Sequence, residues 1–305
     1  VLSKLLSILI EVIAPVVFIA GAGYLLQRRL DIDVRTLSRT NLYFLSPCLG
    51  FSAMVKAQVA RQDLARMAGV SVLAVLVMLA LGWLLTRILR LERDRSSAMM
   101  IGLAFTNCGN YGLSICYFAF GELGLALGTL YFIPSAVLTS SVGAMIASRG
   151  GGSRSWAEAL RDALGLPLLY ATALGLTANL AGWHVPDPLV KATDLAGKAS
   201  VPILLMVLGM QLTRAQLGKD WPTLALGTAV RLLIGPAVGV LLANALHLSG
   251  VAWQVAVLQS AMPAAVTSVI ITTEFHSAPE YASGMVLMTT LVSILTLTVL
   301  MALIT

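Results

Sequence analysis

The chain has 305 residues, 58% of them hydrophobic and 11% charged, and a mean hydropathy of +0.89. Soluble domains carry about a quarter charged residues, so this composition excludes a disordered chain, a nucleic-acid-binding domain and an ordinary cytosolic enzyme. The net charge of +6 comes from basic residues clustered between long apolar runs, the pattern of cytoplasmic membrane loops rather than of a DNA-reading face.

A bilayer core takes about 20 apolar residues per helix. Ten stretches answer to that length and predict an all-α polytopic membrane protein: 5–26, 37–55, 64–89, 96–120, 123–147, 164–183, 199–212, 223–246, 251–273 and 281–303. The first is long enough to span and reads as a helix rather than a cleaved leader. The seventh is short, and with 188–198 it makes one longer, tilted helix. Cys48, Cys108 and Cys116 lie in apolar runs without a CxxC or Cys/His cluster, so neither disulfide nor zinc is expected. His184, His247 and His276 are isolated at predicted loops and suggest no metal site.

Loops after the odd-numbered spans carry Arg28, Arg29, Arg35, Arg39, Arg87, Arg90, Arg93, Arg95, Arg149, Arg154, Arg161, Arg214 and Lys219. The opposite side carries Lys4, Lys56, Arg61, Arg66, Lys191 and Lys198. The positive-inside rule makes the first set cytoplasmic and puts both termini outside, at a cell (inner or plasma) membrane. Arg61 and Arg66 run against that bias.

The halves echo each other. Pro15 and Pro167 are 152 residues apart, Pro47 and Pro202 155, and Asn110 and Pro263 153. The stretch Gly150-Gly151-Gly152-Ser153 between them reads as flexible. The expected organisation is therefore a first five-helix repeat over 1–149, a linker over 150–156 and a second repeat over 157–305. Five is odd, so the second copy enters the membrane from the opposite side, a common plan of secondary transporters.

The fourth span carries Thr106-Asn107-Cys108-Gly109-Asn110-Tyr111-Gly112-Leu113-Ser114 at mid-depth. Amides, glycines and hydroxyls are costly in hydrocarbon unless protein or water satisfies them. Each glycine also costs a helix about 1 kcal/mol relative to alanine. The stretch predicts a helix that breaks near 107–112 and restarts. A restarted helix presents free N–H groups and about half a positive charge at its N-terminus, which favours an anion. Asn107 and Asn110 add donors for a carboxylate and acceptors for a cation. The plainer reading is close packing of small residues, with each Asn bonded to a neighbour. In the ninth span Gln259-Ser260-Ala261-Met262-Pro263 interrupts an apolar run, followed by Thr267, Ser268, Thr272, Thr273 and Glu274. Pro263 is either an ordinary kink or the partner break. Two broken helices crossing at mid-depth would aim two half-helix N-termini at one cavity.

At these residues the chain resembles the auxin efflux carrier family, which includes plant PIN-type auxin carriers and bacterial permeases for malonate and malate. The likeness rests on Asn107-x-Gly109-Asn110-x-Gly112-Leu113, on Ala261-Met262-Pro263, on Ser200-Val201-Pro202 and the apolar run to Leu212, and on Thr289-Thr290-Leu291-Val292-Ser293. It implies ten helices in two inverted repeats and a scaffold of helices 1, 2, 6 and 7, often dimeric. It also implies a transport unit of helices 3–5 and 8–10, with helices 4 and 9 broken and crossed at the substrate site, moving like an elevator. Bacterial members often have proline after the Gly-Leu of the first motif; here Ser114 stands there, to bond either the substrate or the freed backbone. The short 147–164 connection leaves no room for the phosphorylated loop of the plant carriers.

Other residues keep two readings each. Glu11 either couples protons or is a hydrated carboxylate near the outer interface. Arg231 either attracts an anion or snorkels to the inner interface. Glu274 gates, binds a cation or faces water. Gly124-x-x-x-Gly128 and Gly235-x-x-x-Gly239 read as packing seams, and Tyr111, Tyr117 and Tyr131 as packing or cavity lining.

The expected function is secondary transport of a small organic anion, a carboxylate, with H+ or Na+ open as the coupling ion. The expected substrate site is Asn107, Gly109, Asn110, Gly112, Ser114, Met262, Pro263 and Thr267. The alternatives are a non-transporting sensor or scaffold, or an intramembrane enzyme. No G-x-S-x-G elbow, HExxH or mid-span histidine offers a catalytic residue, no Walker motif offers ATP drive, and no cofactor is expected.

Overall fold

The computed structural model describes residues 2–57, 59–151, 155–215 and 220–305. Gly152, Ser153, Arg154 and Lys219 of the sequence reading lie outside the described residues. Within them the chain is helical, and its one strand-like feature is an isolated antiparallel bridge. The helices are α1 (Ser3–Leu30), α2 (34–56), α3 (Arg61–Ile88), α4 (Arg93–Ala104), α5 (Cys108–Arg149) and α6 (Trp156–Leu164). After them come α7 (Pro167–Leu180), α8 (Asp187–Leu212), α9 (Trp221–Ala245), α10 (Gly250–Ser260), α11 (Thr267–Glu274) and α12 (Pro279–Ile304). Six of them, α1, α3, α5, α8, α9 and α12, are long and apolar enough to cross a membrane. The protein is thus an all-helical, multi-pass membrane protein.

Local chemistry sets the helix ends. Asp33 starts α2: its carboxylate accepts from the Thr36 hydroxyl and the Arg35 N–H, which together hold it below the usual carboxylate range. Ser155 and Glu158 form a capping box that starts α6, a short helix that the apolar-run count passes over. Its exposed Leu160 and Leu164 suit a helix lying along the membrane surface. Pro167 sits in the first turn of α7, where a missing N–H costs nothing. The fourth and fifth predicted spans join at Gly121, whose φ of +61° is a conformation that a side chain resists. The seventh predicted span is the second half of α8, a continuous 26-residue helix that tolerates Pro202 inside it.

Two sets of contacts organise the molecule. In one, α2 packs against α7 and α8, and α8 against α1. The α1–α8 contact is backbone on backbone, since a Cβ at Gly209 would collide with the Ala20 carbonyl. In the other, α3 packs on α4 and α5, α10 on α5 and α9, and α12 on α4 and α11. Among the described residues five π-helical turns interrupt the helices, at Leu9–Ile13, Asn41–Leu45, Cys108–Leu113, Thr139–Gly143 and Val230–Ile234. Such turns are frequent at functional sites. Arg61 and Arg66, the two cations that oppose the charge bias, donate to the carbonyls of Leu180 and His247 at the ends of α7 and α9, where a cation is favoured.

Candidate functional site

The polar break lies slightly earlier than the sequence suggests. Helix α4 ends at Ala104, the chain runs extended through Phe105 and the bridged Thr106, Asn107 turns it, and α5 restarts at Cys108, so Asn110 and Gly112 belong to the restarted helix. Helix α10 ends at Ser260, and α11 begins at Thr267. The two interrupted segments cross as a minimal antiparallel pair centred on Thr106 and Ala264. The Asn107 N–H donates to the Pro263 carbonyl at 2.8 Å, and the Ala265 N–H to the Phe105 carbonyl at 2.9 Å. The Ala264 N–H finds the Thr289 hydroxyl at 3.1 Å. Pro263 has no N–H to satisfy and supplies only its carbonyl. In this way three of the N–H groups freed by the breaks are satisfied, as hydrocarbon demands.

The crossing sorts the four helix ends by charge. The carboxyl ends of α4 and α10 meet Arg231 of α9, which is 1% exposed. Its guanidinium donates to the Leu103 carbonyl at 2.6 Å and to the Ser260 carbonyl. Arg231 therefore does not snorkel to the interface. It is held inside the protein because two helix ends with negative partial charge need a cation between them.

The amino ends of α5 and α11 border a cavity of about 330 Å³, within the range of small-ligand sites. Asn107, Gly109 and Asn110 line it from α5 and the segment before it, and Thr267 from α11. The Asn107 side chain is 5% exposed, and its Nδ2 has no protein partner. Among the described residues no Lys, Arg, His, Asp or Glu lines the cavity. Its opposite wall comes from α2 and α8, with Asn41, Ser46 and Gln211. Asn41 and Ser46 are locked to Ser200 in a buried ring of hydrogen bonds of 2.7, 3.3 and 2.7 Å. Three of the π turns, at Asn41, Cys108 and Thr139, contribute to the lining.

The other expected site residues meet at the crossing without lining the cavity. Met262 and Pro263 are buried in the crossing segment. Ser114 is fully buried, and its hydroxyl donates to the Asn110 carbonyl at 3.0 Å, so it bonds the backbone. Gly112 makes room for Gln259, whose Oε1 a Cβ would strike, and a Cβ at Gly109 would strike the Phe132 ring. Gln259 bridges the Cys108 and Gly128 carbonyls at 3.2 and 3.3 Å. Glu11 and Glu274 are exposed and outside the lining, and the Tyr131 hydroxyl is buried against Ser260.

Interrupted helices crossing beside a mostly apolar cavity that carries a few amides and hydroxyls, in a multi-pass all-helical chain, are the arrangement of secondary transporters. Residues 8–163 and 154–301 match the membrane transport protein family, and the chain belongs to that family, the one that contains the auxin efflux carriers. It is 25% identical to an uncharacterised transporter of Methanothermobacter thermautotrophicus over 97% of this chain and 95% of that one. It is 27% identical to a candidate malonate transporter of Rhizobium meliloti over 92% and 91%. It is 26% identical to auxin efflux carrier component 3a of Oryza sativa subsp. japonica over 53% of this chain and 25% of that one.

Proposed function

We propose that this protein is a secondary active transporter of a small organic anion, a carboxylate of the size of malonate. The observation that carries the reading is the cavity between the amino ends of α5 and α11, where the buried Asn107 amide has an unused donor and no cationic side chain competes. A carboxylate there would take the Asn107 and Asn110 amides and the first-turn N–H groups as donors. Gly109, Gly112, Ser114, Met262 and Pro263 shape the crossing behind it, and Thr267 faces the substrate. The fixed charge of Arg231 cancels the carboxyl ends on the far side, so the balance at the cavity stays positive. A coupling ion, H+ or Na+, would then bind elsewhere than between those ends. The relative from Rhizobium meliloti, with its malonate name, supports a dicarboxylate.

The same reading extends to movement. The chain crosses the plasma membrane ten times as two inverted repeats, with both termini outside. The unit α3–α5 with α9–α12 slides against a frame of α1, α2, α7 and α8, and the cavity lies on the seam. Ser38 and Gln211, near helix ends on the arginine-rich side, and Ser140, in the π turn of α5 that precedes its arginine-bearing end, line the cavity, which supports an inward-facing state. Toward the other end Lys198 joins Glu122 across the seam at 3.8 Å and Asp194 at 2.9 Å, and Asp194 holds Lys56 at 2.6 Å. The exposed Ile10, Phe18 and Leu25 of α1 offer a face for a second copy. Uptake of labelled malonate by proteoliposomes tests the function. Saturable uptake that collapses in Asn110→Ala, with folding intact, is the expected result; uptake of no carboxylate by the wild type sinks the proposal.

A further inference from the structure

A second cavity, of about 580 Å³, shares no lining residue with the first and lies at the arginine-rich ends of α3, α4 and α5. Arg87 and Arg90 enter it from the end of α3, Arg93 from the start of α4 and Arg149 from the end of α5. Among the described residues no carboxylate lines it. None of the four guanidiniums makes an ion pair among the described residues. Four like charges around one hollow repel, and Arg93 stands on the first turn of a helix, the end where a cation is unfavourable. That same helix end, with Ser96 in its first turns, favours an anion. Glu92 and Asp94 flank Arg93 at that helix start but are not among the described lining residues, so the lining itself carries positive charge alone.

The surroundings identify the class of anion. Trp83, Leu84 and Ile88 of α3 are 50%, 50% and 67% exposed next to the cavity, an apolar surface suited to acyl chains. The Arg87 guanidinium lies 5.3 Å from the Trp83 ring centre, a cation–π pair of the kind found at membrane interfaces. Basic pockets between helices on the cytoplasmic side take phosphate headgroups. We propose that this cavity binds the headgroup of an anionic phospholipid, best a diphosphatidyl lipid whose two phosphates each engage a pair of guanidiniums. The described lining comes from α3, α4, α5 and the short α3–α4 connection, so the lipid ties together the ends of three helices that lead to or flank the crossing.

The test uses the purified full chain in neutral detergent. Thermal unfolding is followed while cardiolipin, phosphatidylcholine, or inorganic phosphate with glycerol phosphate is titrated in. Cardiolipin should raise the midpoint saturably, and the other additions should not. Arg90→Gln with Arg149→Gln should weaken the apparent affinity on the order of 10- to 30-fold, about one kilocalorie-scale contact per arginine. Arg28→Gln with Arg29→Gln, two arginines on the same predicted side but outside the cavity, should leave it unchanged. Native mass spectrometry of the wild type, which does not depend on the variants folding, should find one cardiolipin retained per chain. An equal loss in both double variants, equal stabilisation by phosphatidylcholine or soluble phosphate, or no retained lipid overturns the proposal.

Discussion

Replacing Arg231 tests the electrostatics of the crossing directly. Each helix carboxyl end carries about half a negative charge, so one guanidinium between α4 and α10 cancels both. Arg231→Met removes two charge-assisted hydrogen bonds, worth about 1.5–3 kcal/mol each, and leaves the Leu103 and Ser260 carbonyls without that donor. Against this stands relief from burying a charge, several kcal/mol in an apolar interior. The net expectation is a loss of about 1–3 kcal/mol of stability, with a weakened affinity for the anion because the crossing turns negative. Arg231→Lys keeps the charge but lacks the planar fork that reaches two carbonyls, so it should retain more affinity than the methionine variant while losing stability. Thermal unfolding in detergent reads the first effect, and concentration-dependent malonate uptake reads the second. If the methionine variant unfolds at the wild-type temperature and takes up malonate with unchanged affinity, the charge-cancelling role is refuted.

Three further outcomes follow from contacts at the same crossing and seam. Gly112→Ala drives a methyl into the Gln259 amide and should cost about 1–3 kcal/mol, seen as a lower unfolding midpoint; an unchanged midpoint would show that Gln259 moves aside freely. Thr289→Val keeps the shape but removes the acceptor for the Ala264 N–H, at about 1–3 kcal/mol for a buried donor left unpaired, and hydrogen exchange at Ala264 should rise. Lys198→Gln breaks the exposed contacts to Glu122 and Asp194, worth about 0.2–1 kcal/mol. It should therefore shift the inward and outward populations by no more than a few-fold, measured as slower labelling of a Ser140→Cys variant from the cytoplasmic side.

The residues themselves show how far reading along the chain reaches. Asn107, Gly109, Asn110 and Gly112 stand out because polar and small residues are expensive in the middle of an apolar run, and the break falls at the front edge of that stretch, with Gly109, Asn110 and Gly112 inside the restarted helix. Ser114 kept two readings in sequence and has one in space, since only the fold shows its hydroxyl bonded to the Asn110 carbonyl. Arg231 keeps two readings in sequence, attracting an anion or snorkelling to the interface, because a lone arginine near a span end has water within reach. Only packing brings Leu103 and Ser260, far from it in sequence, to either side of it. Thr289 and Gln259 carry no distinctive local signal, and their importance lies in which freed amide or carbonyl they meet.

Composition and apolar run length were enough to establish a helical membrane protein with many spans and two weak points along them, because hydrocarbon penalises charge and unpaired backbone wherever they occur. The identity of the partners at those weak points was decided in three dimensions. An interrupted helix frees amides and carbonyls in both directions, and nothing along the chain says which crossing segment, hydroxyl or guanidinium will satisfy them. The cavity between α5 and α11, and the ring of arginines at the far ends of α3, α4 and α5, exist only once the helices have packed.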